Sequence, residues 1–250
     1  MAILYVASEA SELKPFANTL TGLRKINWPV DYAFEGILEG RRVLLAANGA
    51  GPKLAARAVE VAIRAVTGAE LSSSKLEAVV STGYCGALDP NLRESQIVIA
   101  TRVLDLTRSE TSDCASVQSE SGFASGLVVS QDRVALNSAE KHQLLAHNGI
   151  AVDMESAGVA QRTKAAGLPF CCIKVVSDRA DEAFHIDFNR MRTPEGRIAR
   201  GKIGLHATTH PKLIGELFRL RRRTRDAAMA LGEFLVSCRI NTASASTPAE

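Results

Sequence analysis

The run FCCIKVVS (170–177) constrains this chain more than any other segment, because it reads as one fully apolar strand buried on both faces. Runs of the same kind recur as ILYVA (3–7), RVLLAA (42–47), LEAVVST (76–82), QIVIATRVLDL (96–106), GLVVS (126–130) and IAVDM (150–154), with a further β-like stretch near 30–37. Helical segments separate them: about 10–24, then KLAARAVEVAIRAV after the turn NGAGP (48–52), DRVALNSAEKHQLLAH (132–147), and ESAGVAQRTKAAG (155–167). The last of these has Gly167 just past its end and Pro169 beyond it, a strong stop signal. GYCGALDP (83–90) reads as a turn, and the Ser-, Thr- and Asp-rich stretch 107–125 as a loop. Buried strands alternating with helices predict an α/β fold of three layers, α/β/α, around a central mixed, mostly parallel sheet.

Composition narrows the function classes. With 250 residues, 46% hydrophobic and 23% charged, the chain can bury a substantial core, which excludes disordered, collagenous and coiled-coil classes. No apolar run reaches the roughly 18 residues of a membrane span. The N-terminal dozen residues carry Glu9 and Glu12 and lack a basic stretch, so a cytoplasmic location is expected. Five cysteines without a CxxC pair read as reduced thiols. Charge is uneven: 187–225 holds eleven Lys or Arg against three carboxylates, a local +8 in a chain of net +3. One domain is expected over 1–238, with a basic helical region at about 187–238 and a disordered tail at 239–250.

Ligands of such sheets bind beyond the C-terminal ends of the strands. Polar or glycine-rich residues stand at four of those ends, 8–12, 48–52, 83–89 and 177–181, and Asp153-Met154-Glu155 forms a fifth cluster. The Gly49-Ala50-Gly51 turn opens like a dinucleotide fingerprint, but Leu54 occupies the place of its third glycine and no acidic residue follows at the required distance. It is expected instead to bring backbone N–H groups toward a sugar or phosphate. GxSxG is absent, which argues against an α/β-hydrolase. Asp181, His185, His206 and His210 have no fixed ligand spacing, so no metal site is expected.

Three segments read together say more: ASEASEL after the first strand, AVDMESAGVA after a later one, and KVVSDRAD closing the run that opened this reading. They resemble the nucleoside phosphorylase/nucleosidase family, in order and spacing, over residues 1 to about 188, with GAGP and TGYCGAL where that family has glycine-containing turns. A narrower likeness, carried by CGALDPNL, AVDMES, TPEGR and LFRLRRRTRDAAMAL, is to the hopanoid-associated phosphorylases, implicated as adenosylhopane nucleosidases. The resemblance implies cleavage of a purine N-glycosidic bond, with Asp178 as the acid at the purine, kept protonated by burial and held by Ser177. It also implies that Glu155 grips the ribose hydroxyls with Asp153 beside it, that Met154 packs on the sugar, and that Glu12 activates water.

Gly83 and Tyr84 fall in the segment 81–86, where phosphorylases of this superfamily offer an Arg and a Ser for phosphate. Here both are missing, so water rather than inorganic phosphate is the expected co-substrate, and no cofactor is expected. Val134 stands where hydrolytic relatives place an aromatic beside the base. A homo-oligomer is implied as well. Phosphate-dependent cleavage and non-catalytic nucleoside binding are the other readings. Nucleic-acid binding by the basic region is not expected, because only Phe188 and Phe218 are aromatic there and no known module surrounds it. In that region Leu213, Ile214, Leu217, Phe218, Leu220 and Met229 recur at near-helical spacing beside Arg219, Arg221, Arg222, Arg223 and Arg225. That pattern suits either a core-packed surface helix or an element touching an anionic membrane.

Overall fold

The computed structural model describes residues 1–68, 75–193, 197, 201 and 211–241. At its centre β1 (Ala2–Ala7), buried at every residue, runs parallel to β4 (Arg41–Ala47) and to β5 (Leu76–Ala87). Beyond β4 the antiparallel strands β3 (Tyr32–Leu38) and β2 (Thr21–Lys25) extend one side. The helix expected over 10–24 ends early: α1 is Ala10–Ala17, and the chain then turns through Asn18–Leu20 into β2.

On the other side of β5 lie β6 (Ile97–Asp105), β9 (Ala124–Ser130), β10 (Gly149–Asp153) and β11 (Phe170–Asp178). The order β5-β11-β6-β9-β10 returns to β5, because Ala151 and Val152 pair antiparallel with Ala87 and Gly86. This sheet end is therefore a closed ring of five strands. The expected turn at 83–90 is mostly strand, drawn out to Ala87 by this pairing. The expected loop 107–125 holds two short strands, β7 (Glu110–Asp113) on β6 and β8 (Val117–Gln118). β12 (Arg239–Ile240) pairs with β8, so the expected tail is ordered through Asn241; its residues 242–250 lie outside the described residues.

Helices cover both faces, completing the three layers. α2 (Pro52–Thr67) starts on Gly51, whose φ of 106° glycine tolerates best, followed by Pro52, which suits a first helical turn. Its stripe of Ala55, Ala58, Val59, Ala62 and Val66 packs on the sheet together with α4 (Ser156–Ala165). The two helices meet at Gly158, where an added Cβ would lie 2.0 Å from the Pro52 carbonyl oxygen. Across the sheet, α1 packs against α5 (Pro211–Ser237) through Leu13, Phe16, Ala227, Leu231, Phe234 and Leu235. α3 (Ser138–Leu145) is shorter than the expected 132–147, because Asn137 Oδ1 accepts from the Glu140 N–H and caps it.

The strand that opened the sequence reading is not fully apolar. Lys174, in the middle of β11, is completely buried, its ammonium 2.7 Å from Asp153 Oδ2 and 3.1 Å from the Thr82 carbonyl oxygen. A buried lysine of this kind persists only with such partners.

Candidate active site

β1, β5 and β11 run parallel and end at one side of the sheet, β10 runs back antiparallel along the end of β5, and a cavity of about 210 Å³ lies where they meet. Glu12, Tyr84, Val134, Met154, Glu155, Ser177 and Asp178 all line it, as do Lys141, Phe184 and Phe188.

Glu12 sits in the first turn of α1, just after β1, and is buried. Ser8 Oγ donates to its Oε1 at 2.6 Å and the Ser8 N–H to its Oε2 at 3.3 Å. Burial, then the charge of nearby Glu155, push Glu12 up to about 8. Gly83, expected in the site, does not line the cavity. Its φ is 112°, and a Cβ there would lie 2.0 Å from Glu12 Oε2, so its service is to leave room for that carboxylate.

Glu155, at the head of α4, accepts from the Gly51 N–H at 2.9 Å. The GAGP turn thus directs this N–H at a protein carboxylate and not at a ligand, contrary to expectation. Burial raises the pKa of Glu155, against the opposing pull of Lys174. Asp153 lines the cavity as well, though not with its carboxylate. Its side chain is inaccessible, and Oδ2 accepts from Lys174, from Ser156 Oγ at 2.6 Å and from the Ser156 N–H at 3.0 Å. It anchors α4 and Lys174 where a substrate contact was expected. Burial works against the Lys174 ammonium, but Asp153 above all outweighs that and holds its pKa above the usual lysine value.

Asp178 ends β11 with Ser177 Oγ donating to its Oδ1 at 2.6 Å. The same hydroxyl lies 3.2 Å from the Cys85 carbonyl oxygen. Besides the expected partner Ser177, an unexpected one stands at the other oxygen: Lys141 Nζ is 2.6 Å from Oδ2. Val134 borders the cavity with its backbone clamped by Asn189, whose side chain both accepts from the Val134 N–H at 2.8 Å and donates to its carbonyl at 3.0 Å. The aromatic wall comes from another segment, Phe184 and Phe188, whose ring centroids are 5.4 Å apart at 84°. Tyr84 donates from its hydroxyl to the Thr224 carbonyl at 2.9 Å, tying β5 to α5, and its ring also lines a larger cavity of about 870 Å³ between α1 and α5.

Lys141, Lys174, Phe184 and Phe188 are the site residues that sequence reasoning missed. Lys174 had a signal, a charge inside an apolar run; Lys141 had a weaker one, its place three residues before Leu144 on one helix face. Asp181 is engaged by Arg179 and His185 by Glu216, while His206 and His210 lie outside the described residues. Of the segment TPEGR, Pro194, Glu195 and Gly196 lie outside them too.

The family model described as the phosphorylase superfamily matches residues 2–122 and 116–197. The chain is similar to a 5'-methylthioadenosine/S-adenosylhomocysteine nucleosidase of Glaesserella parasuis, 26% identical over 185 residues that cover 62% of this chain and 76% of the relative. It is 25% identical over 211 residues to the nucleosidase of the same name from Haemophilus ducreyi, covering 73% and 87%. Among solved structures, the Neisseria meningitidis nucleosidase in complex with methylthio-immucillin-A superposes with a TM-score of 0.67 at 21% identity, covering 94% of this chain and 98% of that one.

Proposed function

The chain belongs to the phosphorylase superfamily, and from that premise we propose that it cleaves the N-glycosidic bond of a purine nucleoside with water as nucleophile. The observation that carries the reading is the convergence of Glu12, Glu155 and Asp178 on one cavity. Breaking the bond builds positive charge on the sugar and negative charge on the purine. In this proposal Glu155 faces the sugar with Met154 packed beside it, Asp178 faces the purine between Ser177 and Lys141, and Glu12 takes a proton from the attacking water. Phe184, Phe188 and Val134 form the walls for the base, and Tyr84 stands at the far end of the sugar.

Water is favoured over phosphate by what surrounds the nucleophile. A phosphate dianion needs charge-assisted donors, yet Lys174 is engaged by Asp153, Arg133 by Glu140 at 2.8 Å, and the Ser81 hydroxyl lies 3.1 Å from that of Ser156. The names of the curated relatives support the same reaction. Purine release in phosphate-free buffer, followed chromatographically, tests it: free base and free sugar are expected, whereas strict dependence on added phosphate with a sugar 1-phosphate product overturns it.

The finer part of the proposal is a lipid-linked purine nucleoside such as adenosylhopane. The larger cavity supports it, since Tyr84 lines both spaces and the larger one, between α1 and α5, lies next to the site, where an apolar substituent on the sugar would be received. A homo-oligomer belongs to the same reading, on the strength of the resemblance. Sedimentation at micromolar concentration checks it, and a fully active monomer rules it out.

A further inference from the structure

Lys141 reaches the cavity from α3, an element outside the strand ends that deliver the carboxylates. Its side chain is 1% exposed, and its ammonium contacts both Asp178 Oδ2 and the Arg179 carbonyl oxygen. Oδ2 also lies against Gly86 in the cavity wall, where an added Cβ would be 2.9 Å away. A buried cation is costly unless it is paired and hydrogen-bonded, and both partners of this one stand at the acid's end of β11. The carboxylate already has a donor on its other oxygen, from Ser177.

Resting on the nucleosidase reading above, we infer that Lys141 is a positioning residue for the leaving-group acid: it holds Asp178 Oδ2 at the purine and supplies the proton that Asp178 passes on. As the C1′–N9 electron pair moves into the purine ring, Lys141 gives one ammonium proton to Asp178. Asp178 gives that proton to the purine and is left a carboxylate, and Lys141 a neutral amine. The proton lost by the attacking water rests on Glu12 and returns to Lys141 through solvent once the products leave.

Apart from the buried Cys85 thiol, the other charged and titratable groups around the pair are already engaged or belong to the sugar end. On α3 itself Glu140 is bound by Arg133, and after β11 Arg179 is bound by Asp181. From the β10–α4 junction come Asp153, bound by Lys174, and Glu155; from β5 comes the buried Cys85 thiol, and from α1 Glu12.

The test is the pH profile of base release by Lys141→Met. With Lys141 present the acid reaction draws on an ammonium, so turnover persists into alkaline pH. In the variant Asp178 must hold its own proton. We expect kcat to fall about a hundredfold and the alkaline limb of the profile to move to lower pH, KM changing little. Adding Lys141→Met to Asp178→Asn should cost nothing further. That double variant buries no unpaired charge, so it serves even where Lys141→Met alone does not fold. An unmoved alkaline limb in folded Lys141→Met, or a further loss of tenfold or more in the double variant, overturns the role. Wild-type protein that releases no base at any pH overturns the nucleosidase reading itself, and this role with it.

Discussion

Glu12 is held against its own charge: it is buried, and the charge of another buried carboxylate, Glu155, opposes it. A group raised from 4.5 to about 8 stays protonated in the folded chain over a range where the unfolded chain has already ionised it. Its contribution to stability is therefore full below about 4.5 and lost as pH rises through about 8. Glu12→Gln removes that dependence. Its Tm should match wild type in acid and exceed it at pH 9, by calorimetry; a variant no more stable than wild type at pH 9 refutes the burial argument. As general base Glu12 must be ionised, so wild-type kcat/KM should climb with pH between about 6 and 8. An acidic limb near the ordinary carboxylate range sinks that assignment. Lys141 and Lys174 show why single residues were only partly legible. The three carboxylates announce themselves by motif, whereas a buried lysine is recognised only once its partner is known.

At the level of elements, the contact between α2 and α4 ties packing to the site. Gly158 lets α4 approach the first turn of α2, and the residue before that turn, Gly51, holds Glu155. Gly158→Ala must push the helices apart. We expect a loss of about 1–3 kcal/mol, as overpacking usually costs, and a KM raised several-fold because Glu155 loses its backbone donor. Urea melts and steady-state kinetics check both; an unchanged KM separates the packing from the site. The same scale explains what could be read in advance. β1, β11 and α2 follow from local pattern, since their burial repeats within each run. The early end of α1, the length of β5 and the late start of α3 do not. Pairing with β3 makes 21–25 a strand, pairing with β10 extends β5, and the Asn137 cap starts α3.

Across the whole molecule, part of the uneven charge lies on α5. Ile214, Phe218 and Met229 are exposed there, with Arg219, Arg221, Arg222 and Arg225 exposed beside them. Leu217 and Leu220 are half-buried, and Leu220 lines the smaller cavity; the side chain of Leu213 lies outside the described residues. Arg223 turns inward to Glu94 and Glu182, so it pins the helix to the site loops and does not join the exposed group. Part of the proposal for a lipid-linked substrate is that this face meets an anionic bilayer. Co-sedimentation with phosphatidylserine-containing vesicles should show weak binding that fades with salt and drops when the four exposed arginines become glutamine. Equal binding before and after those changes rules the face out. The ring of strands has a consequence of another kind, in the order of assembly. Its last seam joins Gly86 and Ala87 to Val152 and Ala151, far apart along the chain, and that seam is what sets the Asp153–Glu155 corner beside Asp178. Pairings so distant are slow to find. During refolding, far-ultraviolet ellipticity should return before the ability to release purine, the enzyme passing through a stage that has its strands and helices but no working pocket.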